Sequence, residues 1–454
     1  MDQLHGKMST VELQIVERSR KHKGEALKSL YPFIDADLLQ ESYNRLNRQS
    51  ATGIDGKTWA EYGEEFPLRR DDLLEEFRSG RYKAPAVRRV YVPKDKNGRR
   101  PIGISTVEDK VLQESVRRVM EPVYEEEFKS FSYGFRTGRS AHDAVEYLFK
   151  EVSFGGMHYI IDADITDYFG SINHWMLREF LDIRIKDGVI RKMIDKWLKA
   201  GVLESGNISY SESGTPQGSV ISPLLSNIYL HYALDKWFAE QIQSLLKGKS
   251  FIVRYADDFV LGFSDKSDAE RVMKVLPLRF AKYGLTLHPD KTRLIDLNDQ
   301  RNGGDESFDF LGFTHYLGKS KKGRTVLKRK TISKRLTRAI RNIRQYIRMN
   351  CHMKLKDLIA ALNIRLRGHY NYYGVTFNIR SLERFYQGVR RSLFKWLNRR
   401  GGKKLNWEKF SNIVDEWHPL HRPYICHSYI KTKLTSEEPD AGKLLVRICG
   451  GAGR

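Results

Sequence analysis

Thirteen residues, FIVRYADDFVLGF from 251 to 263, constrain the fold of this chain more than any other segment. Two runs rich in β-branched and aromatic residues flank Ala256-Asp257-Asp258, which predicts a hairpin whose arms are buried and whose tip carries two adjacent carboxylates. Carboxylates held beside buried strands need compensation. Aspartate is also a common turn residue, so this segment alone fits a plain turn as well.

A second segment, HYIIDADITDYFGSINH at 158–174, again sets a carboxylate, Asp164, at the end of a β-branched apolar run, with Ile165 directly after it. Mg²⁺ takes hard oxygen ligands and is held by one or two carboxylates plus substrate phosphates. Separate strands donating Asp164 and Asp257 would therefore form a platform for two ions, the architecture of phosphoryl transfer. Asp162 and Asp167 compete for the same role, and Asp162 alternates in phase with Asp164.

The chain has 454 residues, enough for two or three domains at roughly 150 residues each. With 40% hydrophobic residues, including 22 Phe, 23 Tyr and 7 Trp, it has the apolar area for real cores, which excludes a disordered or solvating chain. A formal net charge of +23 makes nucleic acid the leading partner. Cys351, Cys426 and Cys449 form neither a CxxC pair nor a disulfide framework. The opening MDQLHGKMSTVELQ lacks the apolar core of a targeting peptide, and no stretch approaches a membrane span. A soluble protein of a reducing, cytoplasmic compartment is expected, with no membrane partner.

Along the chain, residues 1 to about 80 read as short helices broken at Tyr31-Pro32 and at Gly53-Ile54-Asp55-Gly56. RRVYVPK and PIGIS predict a hairpin from Val87 with a basic loop, followed by a helix from Thr106 to about Phe128. Strand and helix then alternate to about residue 316, an α+β body. From Lys319 to Arg348 there is no acidic residue. In the helical part of this stretch, Ile332, Leu336, Ile340, Ile343 and Ile347 fall on one stripe, with Arg338, Arg341, Arg344 and Arg348 on the other side. A solvated face normally mixes signs; this one does not, and contact with phosphates is expected.

The YxDD box Tyr255–Asp258, the Asp-Ile-x-x-aromatic-Phe box Asp164–Phe169 and GTPQGSVISPLLSNIYLHYALD (Gly214–Asp235) together resemble reverse transcriptases of the group II intron type. VYVPKDKNGRRPIGIS, SYGFRTGRS, LHPDKT and FDFLGF follow the order such polymerases show, and LNIRLRGHYNYYG is similar to their maturase-specific thumb. The resemblance covers about residues 30–415 and implies an α+β right-hand polymerase. An N-terminal extension and the start of the fingers would occupy 1–85, fingers and palm 86–318, and an all-helical thumb or maturase X domain 319–415, with the tail 416–454 unassigned. Asp164 and Asp257 are then the principal metal ligands, Asp258 the third carboxylate, and the Ile165 carbonyl assists. Lys94 and Arg100 would grip the incoming triphosphate, a Lys point charge and an Arg fork on phosphate. Phe169 would crowd the sugar 2′ carbon, and Gln217 would lie beside the nascent pair. Arg136 and Arg139 would contact template phosphates with Phe131 and Phe135 packed beneath them. Lys291 fits either a proton donor to pyrophosphate or an exposed lysine, and Tyr370, Tyr372 and Tyr373 either base stacking or thumb packing.

Two departures stand out: Gly170 where the family shows Asp, and Ser105 where it shows Pro. No paired cysteines mark an HNH endonuclease. The function implied is an RNA-directed DNA polymerase using two Mg²⁺ ions, with Mn²⁺ as a substitute, on an RNA template, a DNA primer and dNTPs. It would also bind group II intron RNA to assist splicing. Two other readings stay open: a host-adopted reverse transcriptase in repair or defence, and a non-catalytic RNA-binding splicing cofactor.

Overall fold

The computed structural model describes residues 9–93, 98–204, 207–210, 213–215, 218–298, 306–400 and 404–429. The chain divides into two units, residues 1–144 with 159–294, and residues 145–158 with 295–454.

In the first unit the basic hairpin forms as its alternation predicts: β1 (Val87–Pro93) pairs antiparallel with β2 (Arg99–Ile104), with Val92 opposite Arg100. The predicted helix follows over Val107–Glu125, started by the Thr106 side chain, which accepts from the Asp109 N–H. Next come β3 (Tyr159–Ala163) and a small hairpin of β4 (Val202–Glu204) and β5 (Asn207–Ser209), whose β4 runs parallel to β1.

The segment singled out first is the hairpin of β6 (Ser250–Tyr255) and β7 (Asp258–Phe263). Phe251, Ile252, Val253, Phe259, Val260, Leu261 and Phe263 are all buried, so both faces of the sheet are covered. β3 lies antiparallel against β7 with Ala163 opposite Phe259, so the register carried one residue further sets Asp164 across from Asp258. The first residues of β8 (Arg293–Asp296) lie at the edge beside β3. The helix Lys266–Lys282, capped by Asp265, packs on β3 and β7.

In the second unit β9 (Ser307–Phe310), β10 (Phe313–Lys319) and β11 (Thr325–Thr331) form an antiparallel sheet. The basic stretch therefore begins in a hairpin and becomes helical only from Ser333. Helices Ser333–Met349, Leu355–Tyr373 and Ile379–Leu397 share a core. The expected stripe is its edge: Ile343 and Ile347 are buried, and Leu336 and Ile340 pack partly against it. Among the described residues no helix is long and apolar enough to cross a membrane, and neither Cys351 nor Cys426 is in a disulfide.

Candidate functional site

Tyr255 and Asp258 pair across a two-residue turn, Ala256-Asp257, at the hairpin tip. Burial is the main force holding the Asp257 carboxyl above the ordinary carboxylate range, and the charge of Asp164 pushes the same way. Its own backbone N–H and the guanidinium groups of Arg100 and Arg254 oppose that shift. The negative charge of Asp164 and the positive charge of Arg100 are thus both felt at the Asp257 carboxyl.

Asp164 follows the end of β3, and its side chain is 37% exposed and paired with the ammonium of Lys291. The adjoining bridge between Ile165 and Leu287 is made by flanking groups: the His288 N–H donates to the Asp164 carbonyl at 2.8 Å and the Thr166 N–H to the Thr286 carbonyl at 2.8 Å. In such a bridge the carbonyl of Ile165 itself points away from Leu287. Asp162, the in-phase competitor, stands 3.8 Å from Arg293 Nε.

Among the described residues no group of three or more His, Cys, Asp or Glu side chains is gathered tightly enough to hold a metal ion. Two mutually repelling carboxylates and a backbone carbonyl still suit an oxygen-ligated divalent cation whose remaining ligands are substrate oxygens.

Around the carboxylates, Arg100 is exposed on β2. Lys94 and Gln217 lie outside the described residues. Phe169 is half-buried, its ring centroid 5.5 Å from that of Tyr168, and its carbonyl accepts the Thr215 N–H at 2.9 Å. The glycine-rich loop is therefore strapped to the aromatic box. Gly170 has a local reason: a Cβ there would meet Asp167 Oδ2 at 2.3 Å, so the Asp167 carboxylate fills the space a side chain would need.

The same loop has a second anchor. Gln113 Oε1 accepts from Ser219 Oγ at 2.7 Å and from the Val220 N–H at 2.9 Å, while its Nε2 donates to Asp109 Oδ2 at 2.8 Å. Asp109 also accepts from Trp197 Nε1 at 2.7 Å, and burial pushes its carboxyl up to about 6. Gln113 and Asp109 share a helix face four residues apart, with Val111 and Leu112 between them, the one signal that could have exposed them.

Two expectations for the SYGFRTGRS segment are corrected. Arg136 is buried and forked on Glu125, with Nη2 to Oε2 at 2.7 Å, and it donates to the carbonyls of Lys129 and Ser132 at 2.8 Å. It braces the loop and has little left to offer a phosphate. Phe135 is 53% exposed with a left-handed φ of 57°, whereas Phe131 does pack on the core. Arg139 stays partly exposed, beside the Tyr133 ring. In the second unit Arg341, Arg344 and Arg348 are exposed and Arg338 is half-buried. Tyr370 is buried with its hydroxyl on the His421 carbonyl at 3.1 Å, and Tyr372 donates to the Leu311 carbonyl at 2.9 Å. Tyr370 thus belongs to the helical core and Tyr373 packs partly against it, while Tyr372 stacks on Phe313.

Residues 92–315 match the reverse transcriptase (RNA-dependent DNA polymerase) family, and residues 334–412 match the group II intron maturase-specific domain. The chain is 37% identical over 229 residues to the group II intron-encoded protein LtrA of Lactococcus lactis subsp. cremoris, covering 49% of this chain and 37% of that protein. It is 34% identical over 299 residues to protein YkfC of Escherichia coli strain K12, covering 57% of this chain and 74% of that protein. A shorter likeness, 34% over 129 residues, joins it to the Arabidopsis thaliana protein named nuclear intron maturase 3, mitochondrial, covering 28% of this chain and 17% of that one. The matched stretch thus spans little over a third of LtrA and about three quarters of YkfC. Because the carboxylate hairpin falls inside the first family match and the helical unit with its cationic helix inside the second, in that order along one chain, this protein belongs to the group II intron reverse transcriptase/maturase family.

Proposed function

We propose that this chain copies RNA into DNA from a DNA primer with dNTPs, and that its helical unit binds group II intron RNA to assist splicing. The observation that carries the polymerase half is the register that sets Asp164, at the end of β3, across from Asp258 beside the turn that holds Asp257, with the charges of Asp164 and Arg100 both acting on the Asp257 carboxyl. A lone buried carboxylate is a structural curiosity; two that repel, with a guanidinium nearby, suit a site that receives cations and a polyphosphate together.

In this reading Asp164 and Asp257 hold divalent ions, with Asp258 and the Ile165 carbonyl as further oxygen donors. When bound, Mg²⁺ or Mn²⁺ lowers the pKa of the primer 3′ hydroxyl and neutralises charge on the triphosphate. Arg100, together with Lys94, binds the triphosphate oxygens and orients them for in-line attack. Phe169, whose carbonyl accepts the Thr215 N–H, sets the sugar, and Gln217 sets the nascent pair. Arg139 contacts the template backbone. The compartment proposed is the cytoplasm, where dNTPs and intron transcripts meet.

The test is Asp257→Asn. Primer extension should fall by more than a hundredfold while intron RNA binding stays within about twofold. Extension within about tenfold of wild type, only ~1.4 kcal/mol in barrier, would remove Asp257 from the metal site.

A further inference from the structure

The residue just before the YADD turn is an arginine with no exposed surface. Arg254 is fully buried, and so is Asp235, whose carboxylate it holds in a fork: Nε to Oδ1 at 2.8 Å and Nη2 to Oδ2 at 2.5 Å. Its remaining nitrogen, Nη1, donates to Asn227 Oδ1 and to the carbonyl of Ala256, both at 2.9 Å. Asn227 in turn donates from Nδ2 to the Gly134 carbonyl at 2.7 Å.

The backbone joins the same cluster. The Tyr133 N–H donates to the Arg254 carbonyl at 2.8 Å and the Arg254 N–H to the Phe131 carbonyl at 2.9 Å, so the SYGF segment runs beside β6. Gly134 then lies against the turn itself, since a Cβ on it would meet the Ala256 nitrogen at 2.3 Å. Ala256 has a φ of 58°, a left-handed conformation that an alanine holds only when its surroundings over-determine it.

These contacts converge on one peptide group. The Ala256 carbonyl belongs to the peptide that leads into Asp257, so whatever fixes that carbonyl fixes the direction in which the Asp257 side chain leaves the backbone. A water molecule could satisfy the carbonyl but would leave the peptide free to turn. A planar fork held on its other side by a buried carboxylate cannot move without stranding a charge.

We propose that Arg254 is a positioning residue: anchored by Asp235 and Asn227, it locks the Ala256 peptide and thereby aims the Asp257 carboxylate at the divalent cation. This rests on the reading of Asp257 as a metal ligand, and it adds that the site's aim is set from beneath by three residues that never touch substrate. It also gives Asn227 and Asp235, in the SNIYLHYALD segment, a task in the hairpin they pack under.

The test uses the full chain. In Arg254→Met/Asp235→Leu both charges go together, so no orphan charge remains to unfold the protein, while the link to Ala256 is lost. Arg254→Lys keeps the charge on Asp235 but not the fork. Each variant is measured for thermal unfolding, for Mn²⁺ binding alone by electron paramagnetic resonance, and for kcat and KM of primer extension. The expected result for the double variant is a cooperative unfolding transition with Mn²⁺ half-saturation raised at least fivefold. Its kcat should fall at least thirtyfold, with KM for dNTP within about twofold of wild type. Arg254→Lys should show the same pattern in smaller measure. Folded double variant with Mn²⁺ affinity and kcat within twofold of wild type would overturn the proposal. If the double variant does not fold, Arg254→Lys decides by the same Mn²⁺ threshold. A wild type that binds Mn²⁺ in an Asp257-dependent way but extends no primer would sink the polymerase reading while leaving the positioning proposal to the Mn²⁺ data.

Discussion

The ammonium of Lys291 is paired with Asp164 Oδ2, so a cation already sits on one oxygen of the carboxylate proposed above as a metal ligand. Both groups are partly exposed, which makes the pair easy to exchange. On the proposed reading, a lysine in that position would relieve the repulsion between Asp164 and Asp257 before cations arrive and would compete with them. Lys291→Gln is therefore expected to tighten Mn²⁺ binding two- to fivefold, read by titration of the protein without nucleotide. Weaker binding in the variant would show that Lys291 organises Asp164 and does not compete for it.

Asp109 supplies a pH dependence with a definite sign. Its carboxyl is raised from 3.8 to about 6 by burial, so between those values the folded chain holds more protons than the unfolded one. The stabilisation present below the lower value is lost as pH rises through about 6. The full effect is ~3 kcal/mol at most. Asp109→Asn removes the titration, so the variant's stability should fall less than the wild type's from pH 4 to pH 7. Denaturant midpoints across that range measure it, and parallel profiles would mean that Asp109 does not titrate there.

The fold was legible where local pattern and burial agree. The carboxylate hairpin, the Val87 hairpin, the Thr106 helix start and the stripe ending at Ile347 all follow from periodicity and turn chemistry. What stayed hidden depends on partners distant in sequence. A cation in a glycine-rich loop reads as a phosphate ligand, and nothing local reveals that Glu125, eleven residues earlier, takes Arg136. Arg254 looks like an ordinary residue at the mouth of a strand until Asp235 is found beneath it. Lys291 sits 127 residues from Asp164, a pairing that only the folded sheet makes.

Phe169 is held at two points, its carbonyl by Thr215 and its ring against Tyr168, leaving it half-buried against the core, five residues after Asp164. A ring fixed in this way can act as a wall. Phe169→Val removes aromatic volume at a cost of about 1–2 kcal/mol in stability. The ratio of kcat/KM for dNTP over rNTP should fall at least tenfold, measured on the same primed RNA. An unchanged ratio would make Phe169 a core residue and nothing more.

The helix Ser333–Met349 separates the polymerase from the maturase half of the reading. Its buried side is Ile343 and Ile347, and on its outer side Arg341, Arg344 and Arg348 are exposed. Arg348 also lies 6.0 Å from the Trp396 ring centroid. Replacing all three by Gln keeps helix propensity and leaves the apolar side untouched, so the fold should persist. If the three contact phosphates, the slope of log binding constant against log salt for intron RNA should become shallower by roughly 0.7 to 0.9 per lost contact. A thumb also holds the template–primer duplex, so loss of binding alone does not assign splicing to this face. The deciding quantity is splicing assistance relative to extension on a short primed template, both at physiological salt. A splicing loss at least tenfold greater than the extension loss is expected. Equal losses would give the helix to the duplex and favour a polymerase without an intron partner, and an unchanged salt slope with full activity in both assays would leave these arginines as solvated surface.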